Sequence, residues 1–334
     1  MAGQTPSVTI LFITRNRMDD LRRAVQSALS QDIECEILVL DDASTDGTVA
    51  MMRSEFPAVS LVEAQRPLGV CAQRNRGALI AKGEIIVSID DDAEFSSPRV
   101  VRQTLADFKH PRVAAVSIPY KDIRISPELR TPTPPGPGDW VVASFVGTAC
   151  AFRRDLFLRM GGYQELLFRE TEERELCVHL LNFGYVTLLG SADVILHYMS
   201  PVRDVGRNRM WQRRNDVCHA VWNVPFPHLL YHLPGTILSG LRYALMHGYL
   251  PQTLGGYFLA IPLVWRTMHL RHPLSGKIYR LVRRLNRTRV LPFEEVCQEL
   301  GPMGEWQGSS VGPQLKQFPH ADVSDRISAK GPNS

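Results

Sequence analysis

The chain has 334 residues, 44% of them hydrophobic and 22% charged, which is the composition of an ordinary globular protein with one large domain or two small ones. Its net charge is only +4, yet residues 200–290 hold 14 basic and 2 acidic residues, so this part is suited to an anionic partner. Six cysteines without a CxxC pair argue against a zinc knuckle and a disulfide framework, and the first residues lack the basic stretch of a signal peptide.

Residues 1–118 alternate between apolar runs and segments of helical periodicity. Helices are predicted at residues 21–29, 49–56 and 70–82. The alternation predicts parallel strands joined by right-handed crossovers, an α/β fold with a doubly wound sheet. Ligands of such sheets bind beyond the carboxyl ends of the strands. The strands are predicted at residues 8–13, 36–40, 59–62, 85–89 and 113–118.

The pattern changes after residue 118. The Pro- and Gly-rich stretch TPTPPGPGDW, residues 131–140, is predicted to be a surface loop. Helices are predicted at about residues 153–160 and 171–183, and short strands at residues 185–189 and 194–197.

The segment at residues 201–290 is hydrophobic and basic. Residues 217–241 and 243–265 contain no Asp, Glu, Lys or Arg, and prolines, glycines and histidines interrupt both runs. We predict amphipathic helices that lie in a membrane interface, with the basic end on anionic headgroups. A soluble helical subdomain or oligomer interface is one alternative, and membrane-spanning helices are another. Residues 291–334 are predicted to be a largely disordered tail, because they are mostly polar and rich in Gly, Ser and Pro.

Three adjacent carboxylates follow the apolar run at residues 85–89. Asp90 and Asp92 are two residues apart, so on an extended backbone they face one side while Asp91 faces the other. Two hard oxygen ligands, completed by phosphate oxygens and water, favour Mg²⁺ or Mn²⁺. A solvated acidic turn, or acids near the start of a helix, is the structural alternative.

Two further acidic clusters lie where the topology predicts a ligand. Asp41 and Asp42 end the second strand, where a carboxylate accepts hydrogen bonds from a base or a ribose hydroxyl; a turn with a helix cap is the alternative. Glu172, Glu173 and Glu175 crowd the start of a helix, where they either complement its dipole or supply a general base.

These motifs, in this order, resemble the inverting GT-A glycosyltransferases of family 2. The resemblance rests on VTILFITRNRMDDL, LVLDDASTDGT, GVCAQRNRGALIAKGE, SIDDD and FVGTACAFRRDLFLRMGGYQE, and it covers about residues 7–200. It implies a GT-A fold in which residues 1–118 are the nucleotide-sugar-binding half and residues 119–200 the acceptor-binding and catalytic half. Residues 201–290 would be a basic, hydrophobic, membrane-associated helical extension.

The resemblance also implies a role for each candidate site residue. Glu173 is the first choice for the general base and Glu172 the second, because Thr171-Glu172-Glu173 stands where the family has Thr-Glu-Asp. A metal ion, Mg²⁺ or Mn²⁺, would be held by Asp92, Asp90 and His197. The nucleotide-binding residues would be Thr14, Arg15, Asn16, Asp41, Asp42, Gly69, Arg74, Asn75, Asp90 and Asp91.

We therefore predict an inverting glycosyltransferase that uses a UDP- or dTDP-sugar and a hydroxyl of a cell-envelope glycan or lipid-linked acceptor. A looser resemblance to rhamnosyltransferase-like bacterial members predicts a cytoplasmic protein, peripheral on the inner face of the plasma membrane, without a nucleic-acid partner. The glutamate at Glu173 raises the alternative of a catalytically weak homologue that acts as a membrane-bound scaffold or sugar-binding module. The turn after the first strand has no glycine, which disfavours a nucleotidyltransferase, a dehydrogenase and a P-loop enzyme.

Overall fold

The computed structural model describes residues 7–126, 128–135, 137–199 and 205–303. Within these ranges the strands form one nine-stranded sheet and one three-stranded sheet. The strands are β1 (Val8–Thr14), β2 (Glu36–Asp41), β3 (Ser60–Glu63), β4 (Ile85–Ile89), β5 (Ala93–Phe95), β6 (Val113–Ser117), β7 (Tyr120–Asp122), β8 (Trp140–Val142), β9 (Ala149–Arg153), β10 (Val186–Leu189), β11 (Ile195–His197) and β12 (Val290–Pro292). The helices are α1 (Met18–Leu29), α2 (Thr48–Glu55), α3 (Val70–Ile80), α4 (Val100–Ala106), α5 (Arg154–Arg159), α6 (Glu172–Asn182), α7 (Val205–Asn223), α8 (Leu229–His247), α9 (Leu250–Arg266), α10 (Gly276–Thr288) and α11 (Phe293–Leu300).

The first half of the large sheet is parallel, as the sequence predicts. β1 pairs with β2 on one side and β4 on the other, and β2 pairs with β3, all in parallel. Helices α1, α2 and α3 connect these strands. Ile10 and Phe12 of β1 pack into the core on one face of the sheet, and Leu11 packs into the core on the other. Apolar residues therefore run continuously along β1, which is typical of a strand buried on both faces.

The second half of the large sheet is mixed. β9 lies antiparallel between β4 and β6, β10 is parallel to β6, and β8 is antiparallel to β10. Neither β8 nor β9 is among the strands that the sequence predicts. β8 begins at Trp140, the last residue of the predicted loop, and β9 ends where the predicted helix begins. Both are short apolar runs, and the loop and helix patterns beside them are clearer in the sequence.

The small sheet has the order β5-β11-β7 and stands beyond the carboxyl end of β4. Its first strand begins at Ala93, directly after the acidic triplet. In this sheet His197 of β11 pairs in register with Ala93 on one side and with Asp122 of β7 on the other. The small sheet therefore brings three segments that are distant in sequence to one edge of the large sheet.

The chain after residue 205 is helical and returns to the large sheet at β12. Among the described helices, none combines the length and the apolarity needed to cross a bilayer. β12 pairs antiparallel with β8, and Val296 of α11 is fully buried. The predicted disordered tail at residues 291–334 is thus ordered at its start, because this segment adds an edge strand; residues 304–334 lie outside the described ranges.

Candidate active site

The carboxyl ends of β1, β2 and β4 meet at one edge of the sheet. Thr14 at the end of β1 pairs in register with Asp41 at the end of β2, and β4 ends one residue before Asp90. This is the position at which open α/β sheets bind ligands.

Asp90, Asp92 and His197 form one cluster at this edge. One ligand atom from each lies within 4.8 Å of the others, and His197 Nε2 is 3.2 Å from Asp92 Oδ1. Burial lowers the pKa of His197, but hydrogen bonding and charge from Asp92, Asp90 and Asp122 outweigh it, so this pKa is raised. Two carboxylate oxygens and an imidazole nitrogen suit Mn²⁺ or Mg²⁺, so the donor set fits the predicted metal.

A second carboxylate stands behind His197. Asp122 Oδ1 lies 2.5 Å from His197 Nδ1, and Arg130 donates from its Nε to the other oxygen of Asp122. A carboxylate that accepts from Nδ1–H leaves the lone pair of the neutral ring on Nε2, the nitrogen that faces Asp92. No sequence motif marks Asp122, which is 75 residues from His197.

Asp91 lies outside the cluster of Asp90, Asp92 and His197. Thr14 Oγ1 donates to its Oδ2 at 2.8 Å, and Arg17 Nη1 donates to its Oδ1 at 2.8 Å. Burial, together with the charge of Asp92, raises the pKa of Asp91 to about 7 against the opposing effect of Arg17. The same Arg17 nitrogen donates to Asp92 Oδ2 at 2.8 Å, so one guanidinium links two members of the acidic triplet. The sequence motif predicts Arg15 and Asn16 as site residues, whereas the structure places Arg17 against the acidic triplet.

The two acids at the end of β2 have different surroundings. Asp42 Oδ1 accepts from Leu68 N at 2.7 Å and Gln73 Nε2 at 2.8 Å, and its Oδ2 accepts from Gly69 N at 3.1 Å. Asp41 Oδ2 accepts from Ser44 N at 2.9 Å. Its Oδ1 is buried and has no partner among the described residues. Asp42 therefore holds the turn before α3, and only Asp41 of the two has a carboxylate oxygen, Oδ1, without a hydrogen-bond partner among the described residues.

The turn after β1 lies at the surface of the same edge. Arg15 and Asn16 are exposed, and Asn16 has a positive φ of 53°. Its Oδ1 accepts from Thr45 N at 2.7 Å, and its backbone N–H donates to Ser44 Oγ at 2.9 Å. These bonds fix the loop after β1 against the loop after β2.

Two predicted nucleotide-binding residues take part in packing. Asn75 is buried, donates to Tyr163 O at 2.9 Å and Glu165 Oε1 at 3.0 Å, and accepts from Tyr163 N. Its amide is thus occupied by the segment before α6 and does not join the acidic edge. Gly69 has a φ of 90°, and a Cβ there would lie 2.6 Å from the ring of Phe168, so only glycine allows this approach.

Arg74 connects the acidic triplet to α6. It is buried, donates to Asp90 Oδ1 at 2.9 Å, and lies 3.9 Å from Glu172 Oε1 and 3.8 Å from Glu173 Oε1. A Cβ on Gly147 would lie 2.3 Å from Arg74 Nη1, so the backbone at Gly147 also fits closely around this guanidinium. Arg74 therefore neutralises carboxylates on both sides of the site.

Glu172 and Glu173 begin α6, directly after Thr171, which has a positive φ of 80°. Glu173 Oε1 accepts from the backbone N–H of Gly147 at 3.0 Å, and its side chain is 18% exposed against 4% for Glu172. Burial raises the pKa of both carboxyls, the Glu173 charge raises that of Glu172 further, and Arg74 opposes both effects. Glu173 is therefore the more exposed carboxylate of the pair.

Helix α7 holds the segment that leads into α6. Asn215 is fully buried, and its Nδ2 donates to Leu167 O at 3.0 Å and to Arg169 O and Glu170 O at 2.7 Å. Arg214 donates to Leu167 O at 2.9 Å. Two polar side chains of α7 thus hold the backbone of the segment before α6. The positive charge of α7 does not by itself predict this role.

Comparison with known proteins adds sequence and fold relatives. Residues 9–161 match the model of Glycosyl transferase family 2. The succinoglycan biosynthesis protein ExoO of Rhizobium meliloti is 34% identical over 101 residues, which are 30% of this chain and 29% of that protein. The putative colanic acid biosynthesis glycosyl transferase WcaA of Escherichia coli is 32% identical over 99 residues, 28% of this chain and 36% of that protein. The chain thus spans less than two thirds of the length of these relatives.

Solved structures extend the likeness over most of the chain. The mannosyltransferase PcManGT from Pyrobaculum calidifontis, in complex with GDP-Man and Mn²⁺, has a TM-score of 0.54, 20% identity, and 85% of each chain covered. S. aureus TarS 1-349 in complex with UDP has a TM-score of 0.56, 15% identity, and covers 88% of this chain and 90% of that one. At such identities the likeness is one of fold.

Proposed function

Because the chain carries a Glycosyl transferase family 2 domain on a GT-A fold, we propose that it is an inverting, metal-dependent glycosyltransferase that uses a nucleotide-diphosphate sugar. The observation that carries the proposal is the juxtaposition at one edge of the sheet: the cluster of Asp90, Asp92 and His197 on one side of Arg74, and Glu173 on the other. A leaving diphosphate needs a metal ion and an incoming hydroxyl needs a base, and both must lie within one small site.

Residues of the two acidic clusters have different proposed roles in the transfer. Glu173 accepts the proton of the acceptor hydroxyl, whose oxygen then forms the new glycosidic bond as the bond to the diphosphate breaks. Gly147 N–H orients that carboxylate, and Glu172 is the second candidate for the base. Asp92, Asp90 and His197 would hold Mn²⁺ or Mg²⁺, which supplies positive charge to the leaving diphosphate when it is bound.

The nucleoside is proposed to lie over the loops after β1 and β2. Asp41 supports this placement through its unpartnered Oδ1, which suits a donor of a base or ribose. Arg15 and Asn16 border the same loop and remain candidates, as do Thr14 and Asp91 beneath it. For Asp42, Gly69 and Asn75 we propose a supporting role, because their contacts shape the turn before α3 and the packing around it.

We propose a UDP- or dTDP-sugar donor and a hydroxyl of a cell-envelope glycan or lipid-linked acceptor. A relative named for succinoglycan biosynthesis and another named for colanic acid biosynthesis support an envelope polysaccharide. A cytoplasmic location, with peripheral contact on the inner face of the plasma membrane, is part of the same proposal.

The experiment is turnover of UDP-, dTDP- and GDP-sugars by the purified protein with Mn²⁺, compared with Glu173→Gln and Asp92→Asn. We expect each variant to lose roughly 10²-fold or more in kcat, because each removes a group used in the transition state. Asp155→Asn, a change in an exposed pair on α5, is the matched control and should keep wild-type turnover. Wild-type rates in both site variants would refute the assignment, and donor binding without any turnover would favour the scaffold alternative.

A further inference from the structure

Helices α8 and α9 form a hairpin whose outer face is apolar. We define this outer face by its most exposed large side chains, of which Trp265 is 83% and Phe258 71% exposed. Several large apolar side chains exposed along two neighbouring helices indicate an interaction surface. The outer face comprises Leu238, Leu245, Met246, Phe258, Ile261 and Trp265.

The inner face of α9 carries small residues. Thr253, Gly256 and Ala260 are buried, and a Cβ on Gly256 would lie 2.4 Å from Met210 O of α7. The hairpin therefore cannot turn its large residues inward without separating from α7. A water-facing helix has the opposite arrangement, with large apolar residues inside and polar residues outside.

The surroundings of the outer face are cationic. Residues 217–293 contain no Asp or Glu and nine Lys or Arg. Helix α10 buries Ile278, Leu281 and Leu285 and exposes Arg280 and Arg283 to solvent. It adjoins the start of α8, where His232 Nδ1 is 2.9 Å from Tyr279 OH and the His228 ring stacks on Tyr279 at 4.6 Å.

This combination selects one occupant. An apolar face bordered by cations fits a bilayer with anionic headgroups, where the large side chains enter the acyl boundary and the arginines meet phosphates. A second copy of this chain fits poorly, because two faces of the same positive charge would oppose each other.

The tip of the hairpin lies beside the catalytic segment. Arg209 of α7 donates to Tyr243 OH at 3.1 Å, and its guanidinium lies 5.8 Å from the ring of Tyr249. The same Arg209 lines a pocket together with Glu170 and Met199. Glu170 is three residues before the proposed base, and Met199 is two residues after the histidine of the metal cluster.

We infer that the outer face docks on an anionic bilayer and that the acceptor is lipid-linked, since the pocket at the hairpin tip would then open next to the lipid surface. The inference rests on the proposed glycosyl transfer for its acceptor part only. The docking part is a binding property that holds with or without turnover.

The first test is co-sedimentation of the full chain with vesicles of phosphatidylglycerol and phosphatidylcholine in equal parts. Phe258→Ser and Trp265→Ser should each weaken partitioning roughly 10-fold, because each removes a large apolar side chain from the acyl boundary. Leu29→Ser, at an exposed apolar position on α1, is the matched control and should partition like the wild type. Circular dichroism and thermal melting without vesicles establish that all three variants are folded.

Three results would overturn the docking surface. They are unchanged partitioning of both hairpin variants, equal partitioning onto pure phosphatidylcholine at low salt, and a concentration-dependent dimer that the same substitutions dissolve. Partitioning that falls with rising salt supports the role of the arginines, because screening weakens headgroup attraction.

The second test follows a labelled sugar from the donor into an organic-solvent extract of bacterial envelopes. We expect label in the lipid phase with the wild type and a loss of roughly 10-fold or more with the Phe258→Ser, Trp265→Ser double variant. Label confined to water-soluble glycan, equal in both proteins, would overturn the lipid-linked acceptor. Vesicle binding without turnover of any donor would instead count against the proposed glycosyl transfer and leave the docking surface in place.

Discussion

His197 illustrates how the site is built from single residues. Its Nε2 faces Asp92, its Nδ1 faces Asp122, and Arg130 pairs with the far side of Asp122. A histidine ligand whose other nitrogen is held by a carboxylate is fixed both in orientation and in tautomer. If His197 holds the proposed metal ion, Asp122 would be a positioning residue that acts through the His197 ring.

We therefore predict that Asp122→Ala lowers Mn²⁺ affinity roughly 10- to 100-fold, and that Asp122→Asn lowers it less, because an amide oxygen still accepts from Nδ1–H. Electron paramagnetic resonance titration of Mn²⁺ measures this without any turnover. A larger loss of Mn²⁺ affinity in Asp122→Ala than in Asp122→Asn supports positioning through the bond to His197. If that bond plays no part, both variants should bind Mn²⁺ like the wild type. Asp155→Asn serves as the control, and wild-type affinity in Asp122→Ala would contradict the prediction.

The second residue-scale prediction concerns the base. As the proposed base, Glu173 would be active only when deprotonated. Burial raises its pKa while Arg74 lowers it, and the carboxyls of Glu172 and Glu170 also lie close to it. The pH profile of kcat should therefore rise through this raised pKa and level off above it. Arg74→Gln should move the rise to higher pH, because the opposing cation is gone, and Arg74→Lys should move it less. An acid limb at the same pH in all three proteins would contradict this account.

Residues with a local motif could be predicted from the sequence, and residues recruited by tertiary pairing could not. The structure brings Asp90, Asp92 and His197 together at the edge where strand ends were expected. Arg17, Asp122 and Thr148 were missed. Thr148 donates to Asp90 across 58 residues, and no spacing rule connects such positions. The roles of all these residues stay predictions.

At the scale of elements, α7 supports the loop before α6 by side-chain hydrogen bonds. Asn215 satisfies three backbone carbonyls, two of which, Arg169 and Glu170, stand directly before the positive φ of Thr171. A backbone with consecutive positive φ values at Glu170 and Thr171 is strained for residues with side chains, so it needs such support.

Asn215→Ala should therefore affect both stability and turnover. Loss of the Asn215 amide from the carbonyls of Arg169 and Glu170 should reduce the free energy of unfolding by roughly 1–3 kcal/mol, while Leu167 O keeps its bond from Arg214. Since Glu173 follows this loop, kcat should fall while nucleotide binding is retained. Urea unfolding and donor titration measure the two effects. Gln26→Ala, at an exposed position on α1, is the control for an alanine substitution in a helix, and normal kcat in Asn215→Ala would contradict the link.

Most of the longer strands are predictable from the sequence, but length alone does not decide it, since the five-residue β9 is not predicted and the three-residue β11 is. β1, β2, β4 and β6 are long apolar runs and were predicted with small errors in their bounds. β5, β7 and β12 have three residues each, too few to show a period, and they exist because a neighbouring strand pairs with them. Of the small sheet that places Asp122 beside His197, the sequence therefore predicts only β11.

At the scale of the whole molecule, the last described residues form an edge strand of the large sheet and the helix that follows it. β12 pairs with β8 through three residues, Val296 of α11 is fully buried, and Arg112 donates to Gly301 O at 2.6 Å. These contacts join the last helices to the β8 edge of the large sheet. Residues 290–303, which the sequence predicts to be part of a disordered tail, therefore pack against strands that are distant in sequence.

Removal of residues after 289 should therefore destabilise the entire sheet edge. It uncovers one edge of β8, leaves Val141 paired with β10 alone, and takes Val296 out of the core, so the melting temperature should fall by several degrees and aggregation should increase. The matched control ends the chain after Met303, which retains every described element and should melt like the full chain. Differential scanning calorimetry of the three proteins measures the effect. Equal melting of the chain that ends at 289 and the full chain would mean that β12 and α11 add nothing to the fold. A loss shared by both truncations would place the stabilising contacts after residue 303.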